Sequence, residues 1–206
     1  MIHKRILSIL LLSTLFLNPA FSAECKKLFN KLDKQHYAIS GKDRVKKLVK
    51  LENDLFKAIE QCKKYSGMFV LMGELQIDMG QVPLSVVYGR KSVELDENYW
   101  RAYKLLGSAQ MLNSDFERGL NSLKKSVELA PGNTNAQLNL ASALVQNKKH
   151  DEALTLVNEI IKKNKKGTIA TAYYLRSQAY SGKGLIIEAD KDIKRAQGMG
   201  FVVEQR

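Results

Sequence analysis

The chain matches itself at a fixed interval, and no other feature limits its fold as much. Ser66 to Tyr99, Trp100 to Asn133 and Thr134 to Gly167 are three consecutive blocks of 34 residues. Their fourth positions are Phe69, Tyr103 and Gln137; the seventh and eighth are Met72-Gly73, Leu106-Gly107 and Leu140-Ala141. The eleventh are Gln76, Gln110 and Leu144, and the twentieth are Ser85, Gly119 and Ala153. Near the block ends come Ser92-Val93, Ser126-Val127 and Ile160-Ile161, with Leu95 and Leu129 two residues beyond the first two. A fourth block fits from Ala170 to Val203 after a slip of two residues around Gly167-Thr168, with Tyr173, Ser177, Tyr180, Ala189, Ile193 and Ala196 in matching places. A period in this range signals stacked supersecondary units, since one such unit cannot bury its apolar face alone.

The spacing carries a packing rule. Positions 4, 7, 8 and 11 share one helical face, and positions 20, 24 and 27 share a face of the next helix. Small residues at 8, 20 and 27 let the two helices approach, while larger ones at 4, 7, 24 and 28 fill the space around them. Ala130-Pro131-Gly132-Asn133 closes block two with a helix stop and a new start. Block one departs from the pattern at Pro83 and Gly89. Proline is tolerated in a first turn, but a glycine inside a helix costs roughly 1 kcal/mol against alanine. Gly89 is therefore expected to mark a close approach of the N-terminal helices.

Period and residue types together resemble the tetratricopeptide repeat family over Ser66 to about Phe201. Trp100 to Asn133 fits best, through Tyr103, Leu106-Gly107, Gly119, Leu123, Ser126 and Pro131. Thr134 to Gly167 follows through Asn139-Leu140-Ala141 and Asp151-Glu152-Ala153-Leu154. The resemblance implies an all-α fold, an α-solenoid of about four helical hairpins (66–99, 100–133, 134–167 and 170–203) behind an N-terminal helical hairpin cap at 23–65. It also implies a right-handed superhelix whose inner groove is lined by the first helix of each pair. Groove-facing positions 2, 5, 9 and 12 are then Val70, Glu74 and Ile77; Arg101, Lys104, Ser108 and Met111; Asn135, Leu138, Ser142 and Val145; and Tyr174, Gln178 and Ser181. An apolar strip with a few polar anchors suits an extended peptide or a partner helix. Family members that clamp a peptide carboxylate use Lys, Asn, Asn, Lys and Arg. Here Lys104 and Asn139 match, Ser108 replaces the first Asn, and Thr171 and Leu175 stand where the last two cations belong, so Asn139 reads as structural.

Ahead of the repeats lie two further features. Lys4-Arg5, the 12-residue apolar run Ile6 to Leu17, and the small residues of Ala20-Phe21-Ser22 have the layout of a cleavable signal peptide over 1–22. The run is well short of the roughly 20 residues that span a bilayer. Cleavage is expected after Ser22 or Ala23, with the mature protein periplasmic or secreted. Cys25 and Cys62 are the only cysteines. An oxidising compartment favours pairing them, and the pattern predicts helices from Glu24 to about Ile39 and from Asp43 to Tyr65. Folding these back as a hairpin brings the two cysteines together.

The formal charge of +12 falls to +10 without Lys4 and Arg5. Such an excess suits an acidic protein, an anionic membrane or a wall polymer as partner. Nucleic acid is not expected, because aromatic and basic residues do not interleave. No metal-binding, phosphate-binding or nucleophile motif is present. Ser122-Leu123-Lys124-Lys125 lacks the companions its Ser-x-x-Lys pattern needs, and His36 and His150 are expected on the surface. No cofactor and no catalysis are expected. The sequence points to a protein–protein interaction scaffold or adaptor of the bacterial cell envelope, or else to an accessory subunit or activator of an envelope enzyme acting on wall polymer.

Overall fold

A computed structural model describes residues 19–163 and 169–202, with side-chain surroundings from Ser22 onward. The apolar run of the expected signal peptide lies outside the described residues, whereas the expected cut falls inside the first helix. Ten α-helices and no strand occur among the described residues, and no helix there is long and apolar enough to cross a membrane. The chain divides into two compact units after Glu97.

The first unit contains α1 (Pro19–Tyr37), α2 (Arg44–Gln61), α3 (Ser66–Asp78) and α4 (Val82–Leu95). Cys25, Phe29 and Leu32 of α1 recur at helical spacing and meet Leu48, Leu51, Leu55 and Ala58 of α2 in one cluster. The Cys25–Cys62 disulfide is formed, with Cα atoms 5.8 Å apart, as the hairpin requires. The second helix stops at Gln61 rather than Tyr65. Cys62 leaves the helical conformation, Tyr65 N–H donates to Cys62 O (2.9 Å), and Tyr65 becomes the extended residue that starts α3.

α3 is the core of this unit, packed by α1, α2 and α4. Val70, expected in an open groove, is fully buried there. Ser66 and Ser92 join α3 to α4: their hydroxyls are 2.7 Å apart, and Ser92 Oγ donates to Ser66 O (3.0 Å). Pro83 sits in the first turn of α4, and Gly89 is buried. His36 is not on the surface. It is 8 % exposed and lies 2.8 Å from Asp78 Oδ2, while Asp78 Oδ1 faces Arg44 at 3.2 Å. A carboxylate 42 residues along the chain draws it in.

The second unit contains α5 (Trp100–Leu112), α6 (Phe116–Leu129), α7 (Thr134–Gln146), α8 (His150–Lys163), α9 (Ile169–Gly182) and α10 (Ile186–Gly198). The three in-register blocks start at Ser66, Trp100 and Thr134, which are also the first residues of α3, α5 and α7. Position 8 behaves as its size predicts. A methyl group added to Gly107 would meet Leu123 Cγ at 2.7 Å and Gly119 O at 2.9 Å. Position 20 is as tight, since a methyl on Gly119 would meet Met111 at 2.8 Å. Ser126 at position 27 donates to Trp100 O (2.9 Å), repeating the Ser92–Ser66 tie. Asn133 caps α7 by accepting from Ala136 N–H (3.0 Å).

The turn inside each repeat is also periodic. Gln81 N–H donates to Gln76 O, Asp115 to Gln110, Lys149 to Leu144 and Leu185 to Tyr180, at 2.7–2.9 Å. This geometry needs a left-handed residue at position 15. Gly80 and Gly184 supply it freely, whereas Ser114 (φ 62°) and Lys148 (φ 58°) are held there at a cost. His150 is half-buried rather than exposed, with its ring against Gly182. Arg176 clamps Asp192 with two hydrogen bonds, at 2.6 and 2.9 Å, and Tyr173 and Tyr180 flank its guanidinium. The Asp192 bonds hold Arg176 above its usual pKa, against the opposing effect of burial.

Candidate functional site

The first helices of the last three hairpins stand side by side, with α5 against α7 and α7 against α9. Stacking puts the faces of these helices that do not meet α6, α8 and α10 along one groove. Two cavities open on it. The smaller, about 230 Å³, is lined by Ser108, Met111, Leu112, Leu123, Asn139, Ser142, Ala143 and Gln146. The larger, about 410 Å³, is lined by Leu138, Asn139, Ser142, Val145, Gln146, Thr171, Tyr174, Leu175, Gln178 and Phe201. Asn139, Ser142 and Gln146 belong to both, so the two cavities form one continuous furrow.

Amides and hydroxyls supply the polar part of a lining that is otherwise apolar. Asn139 Nδ2 donates to Asn135 O (2.8 Å), and its Oδ1 accepts from Ser108 Oγ (3.3 Å). These two bonds fix the amide one turn inside α7. Gln146 Nε2 donates to Ser142 Oγ (3.2 Å), and Gln178 Nε2 donates to Tyr174 Oη (3.0 Å). Each of these side chains lies four residues from its partner on one helix face, so helical spacing alone aligns them. At one end Tyr174 stacks on Phe201, with centroids 4.6 Å apart and planes at 27°. No charged side chain lines either cavity. The furrow therefore offers paired donors and acceptors with apolar and aromatic patches, and no counter-ion.

Of the groove residues expected from sequence, Ser108, Ser142 and Tyr174 line the furrow as half-buried side chains. Met111 and Leu138 reach it only as floor, with 7 % and 9 % of their surface left. Met111 is drawn against Gly119, and Leu138 packs with Val157, Ile160 and Leu175. Arg101, Lys104 and Asn135 lie nearer the helix starts and line neither cavity, although the Asn135 carbonyl holds Asn139 in place. Asn139 supports the wall and faces both cavities. Thr171 and Leu175 line the larger one where a carboxylate clamp would carry cations. Among the described residues no group of His, Cys, Asp and Glu could hold a metal ion.

Sequence reasoning missed Phe201. It occupies position 32 of the fourth block, where block two has Pro131. That departure was the available signal. Gly200 (φ 84°) turns the chain out of α10, and Phe201 N–H donates back to Ala196 O (3.0 Å). The ring is thereby set on Tyr174.

Comparison with known proteins agrees with this architecture. A tetratricopeptide repeat family model matches residues 110–178. No curated protein matches the sequence significantly. Among solved structures, MamA superposes with a TM-score of 0.62 at 24 % identity, covering 77 % of this chain and 92 % of its own. YrrB, described as a TPR protein with an unusual peptide-binding site, gives 0.61 at 16 % identity, covering 87 % and 92 %. MamA from residue 41 onward, from Desulfovibrio magneticus RS-1, gives 0.56 at 18 %, covering 66 % and 75 %. At these identities the likeness is one of fold.

Proposed function

The chain is a tetratricopeptide-repeat protein, and on that premise we propose that it is an interaction scaffold of the bacterial cell envelope, holding an extended, uncharged peptide segment in the furrow of α5, α7 and α9. The observation that carries this reading is the composition of the furrow. Amides at Asn139, Gln146 and Gln178 match the alternating N–H and C=O groups of an extended backbone, and the lining carries no charge to attract a terminal carboxylate. A structural neighbour described by its peptide-binding site supports the same use. The envelope location is supported by the Lys4 to Ser22 layout and by the Cys25–Cys62 bridge, which persists in oxidising compartments.

Ser142 lines both cavities, so Ser142→Trp obstructs the furrow at its middle without touching the core. Pull-down from an envelope fraction should recover a stoichiometric partner with the wild type and lose it with Ser142→Trp, at a melting temperature close to wild type. Full recovery of the partner by the variant would exclude the furrow. Mass spectrometry of the same preparation should find the chain beginning at Ala23 or Glu24, and a product that keeps Met1 would overturn the export proposal.

A further inference from the structure

The N-terminal hairpin carries a surface that the furrow does not use. Residues 22–65 hold twelve Lys and Arg against six Asp and Glu, whereas 66–206 hold nineteen against fifteen. On α2, at about 100° per residue, Val45, Val49 and Phe56 fall within an arc of about 40°. All three are exposed, at 73 %, 43 % and 48 %. Lys46, Lys50 and Lys57 fall within a second arc of about the same width, centred about 100° from the first. They are exposed and make no ion pair or hydrogen bond among the described residues. Three acidic residues border these arcs, and one of them, Asp54, lies about 40° beyond the lysine arc, half-buried. Glu52 lies about 20° outside the apolar arc, half-buried, with its carboxylate held by Gln76 Nε2 at 2.8 Å. Glu60 lies one turn beyond Phe56, exposed. The buried stripe of Leu48, Leu51, Leu55 and Ala58 occupies the far side. α2 therefore has two apolar stripes, and only one of them is spent on the core.

We propose that this second stripe docks the protein on an anionic lipid bilayer, with Val45, Val49 and Phe56 entering the interface and Lys46, Lys50 and Lys57 against the head groups. Three observations favour lipid over the alternatives. An apolar stripe beside a cationic one is the pattern of a helix lying in a membrane interface. A soluble polyanion would leave the apolar stripe unused. The hairpin cations are eleven Lys to one Arg, and protein interfaces favour Arg and deplete Lys. The proposal is independent of what the furrow binds.

The test uses the chain from Ala23, which keeps every described buried residue of the hairpin, Cys25 being the first. Co-sedimentation is measured with vesicles of phosphatidylcholine alone and of phosphatidylcholine mixed with phosphatidylglycerol, at low salt and at about 0.5 M, where screening shortens charge interactions to a few ångströms. Binding should need phosphatidylglycerol and fall with salt. A Lys46→Glu, Lys50→Glu, Lys57→Glu variant should lose about a hundredfold, at roughly fivefold per lysine. A Val45→Ser, Val49→Ser, Phe56→Ser variant should lose at least tenfold on vesicles while keeping its affinity for soluble poly-glutamate. Circular dichroism and absence of free thiols confirm that each variant is folded. Wild type that ignores anionic vesicles overturns the proposal, as does a lysine variant that still binds them. If the serine variant binds vesicles like wild type, the surface serves a soluble polyanion or an acidic protein instead.

Discussion

In the second unit, Lys124 and Lys149 both reach Glu152, at 3.8 and 3.0 Å. Lys125 pairs with Glu128, Lys163 with Glu159 and Lys194 with Asp190, each within one helical turn, and Lys183 bridges to Asp151. In the N-terminal hairpin, Lys26, Lys27, Lys31 and Lys34 stand exposed along α1 with no such partner among the described residues, as do Lys46, Lys50 and Lys57 on α2. The residue type is the same; its use is not. Surface pairs of the first kind are worth about 0.2–1 kcal/mol each, within one helix or between neighbouring ones. Unpaired lysines on a short hairpin repel one another, a cost that contact with an anionic surface would remove. The means of holding the helices differ to match. The repeats rely on contact through Gly107 and Gly119, while the hairpin is tied by a covalent bridge.

The sharpest way to break this comparison is to remove the bridge. The Cys25→Ser, Cys62→Ser variant should lose about 4 kcal/mol from the first unit in the chain-entropy account of a loop this long. Trp100 is the single tryptophan and starts α5, so its fluorescence reports the second unit alone. Denaturant titration should therefore move the circular dichroism transition of the first unit and leave the Trp100 transition in place. If both move together, the two regions unfold as one and the contrast in how they are held is lost.

A smaller effect, of about 3 kcal/mol, is expected from Asp192→Ala, which strands the Arg176 guanidinium among Tyr173, Tyr180 and Asn158. Here the Trp100 transition should move. An unmoved Trp100 transition would place the Arg176–Asp192 clamp outside the cooperative core of the repeats.

The smallest effect concerns the turns. The first unit has Gly80 at its left-handed position, whereas the second holds Ser114 and Lys148 there in two of its three repeats, with Gly184 in the third. Lys148→Gly should raise stability by about 0.5 kcal/mol, the relieved strain being partly offset by the freedom glycine gains when unfolded. A loss of stability in denaturant titration would mean that the Lys148 side chain contributes more than its backbone costs.

Much of this molecule was legible before folding. The starts of α3, α5 and α7, the small residues at positions 8 and 20, the break at Ala130–Asn133 and the pairing of Cys25 with Cys62 follow from period, size and local chemistry. Each depends on residues within one turn or on two helices joined by a short loop, which is why the pattern carries them. Ser108, Ser142 and Tyr174 followed for the same reason, as fixed positions on repeated helices. The tertiary structure decided the rest. Val70 and Leu138 share the groove register with Ser142, but neighbouring helices cover them almost completely. His36 was drawn in by Asp78, Tyr174 met Phe201 from beyond α10, and Lys124, Lys149 and Lys183 found carboxylates, whereas Lys46, Lys50 and Lys57 have none among the described residues. A helical period states which face a side chain points from. What it meets there is set by residues one or more helices away, at distances the period does not encode.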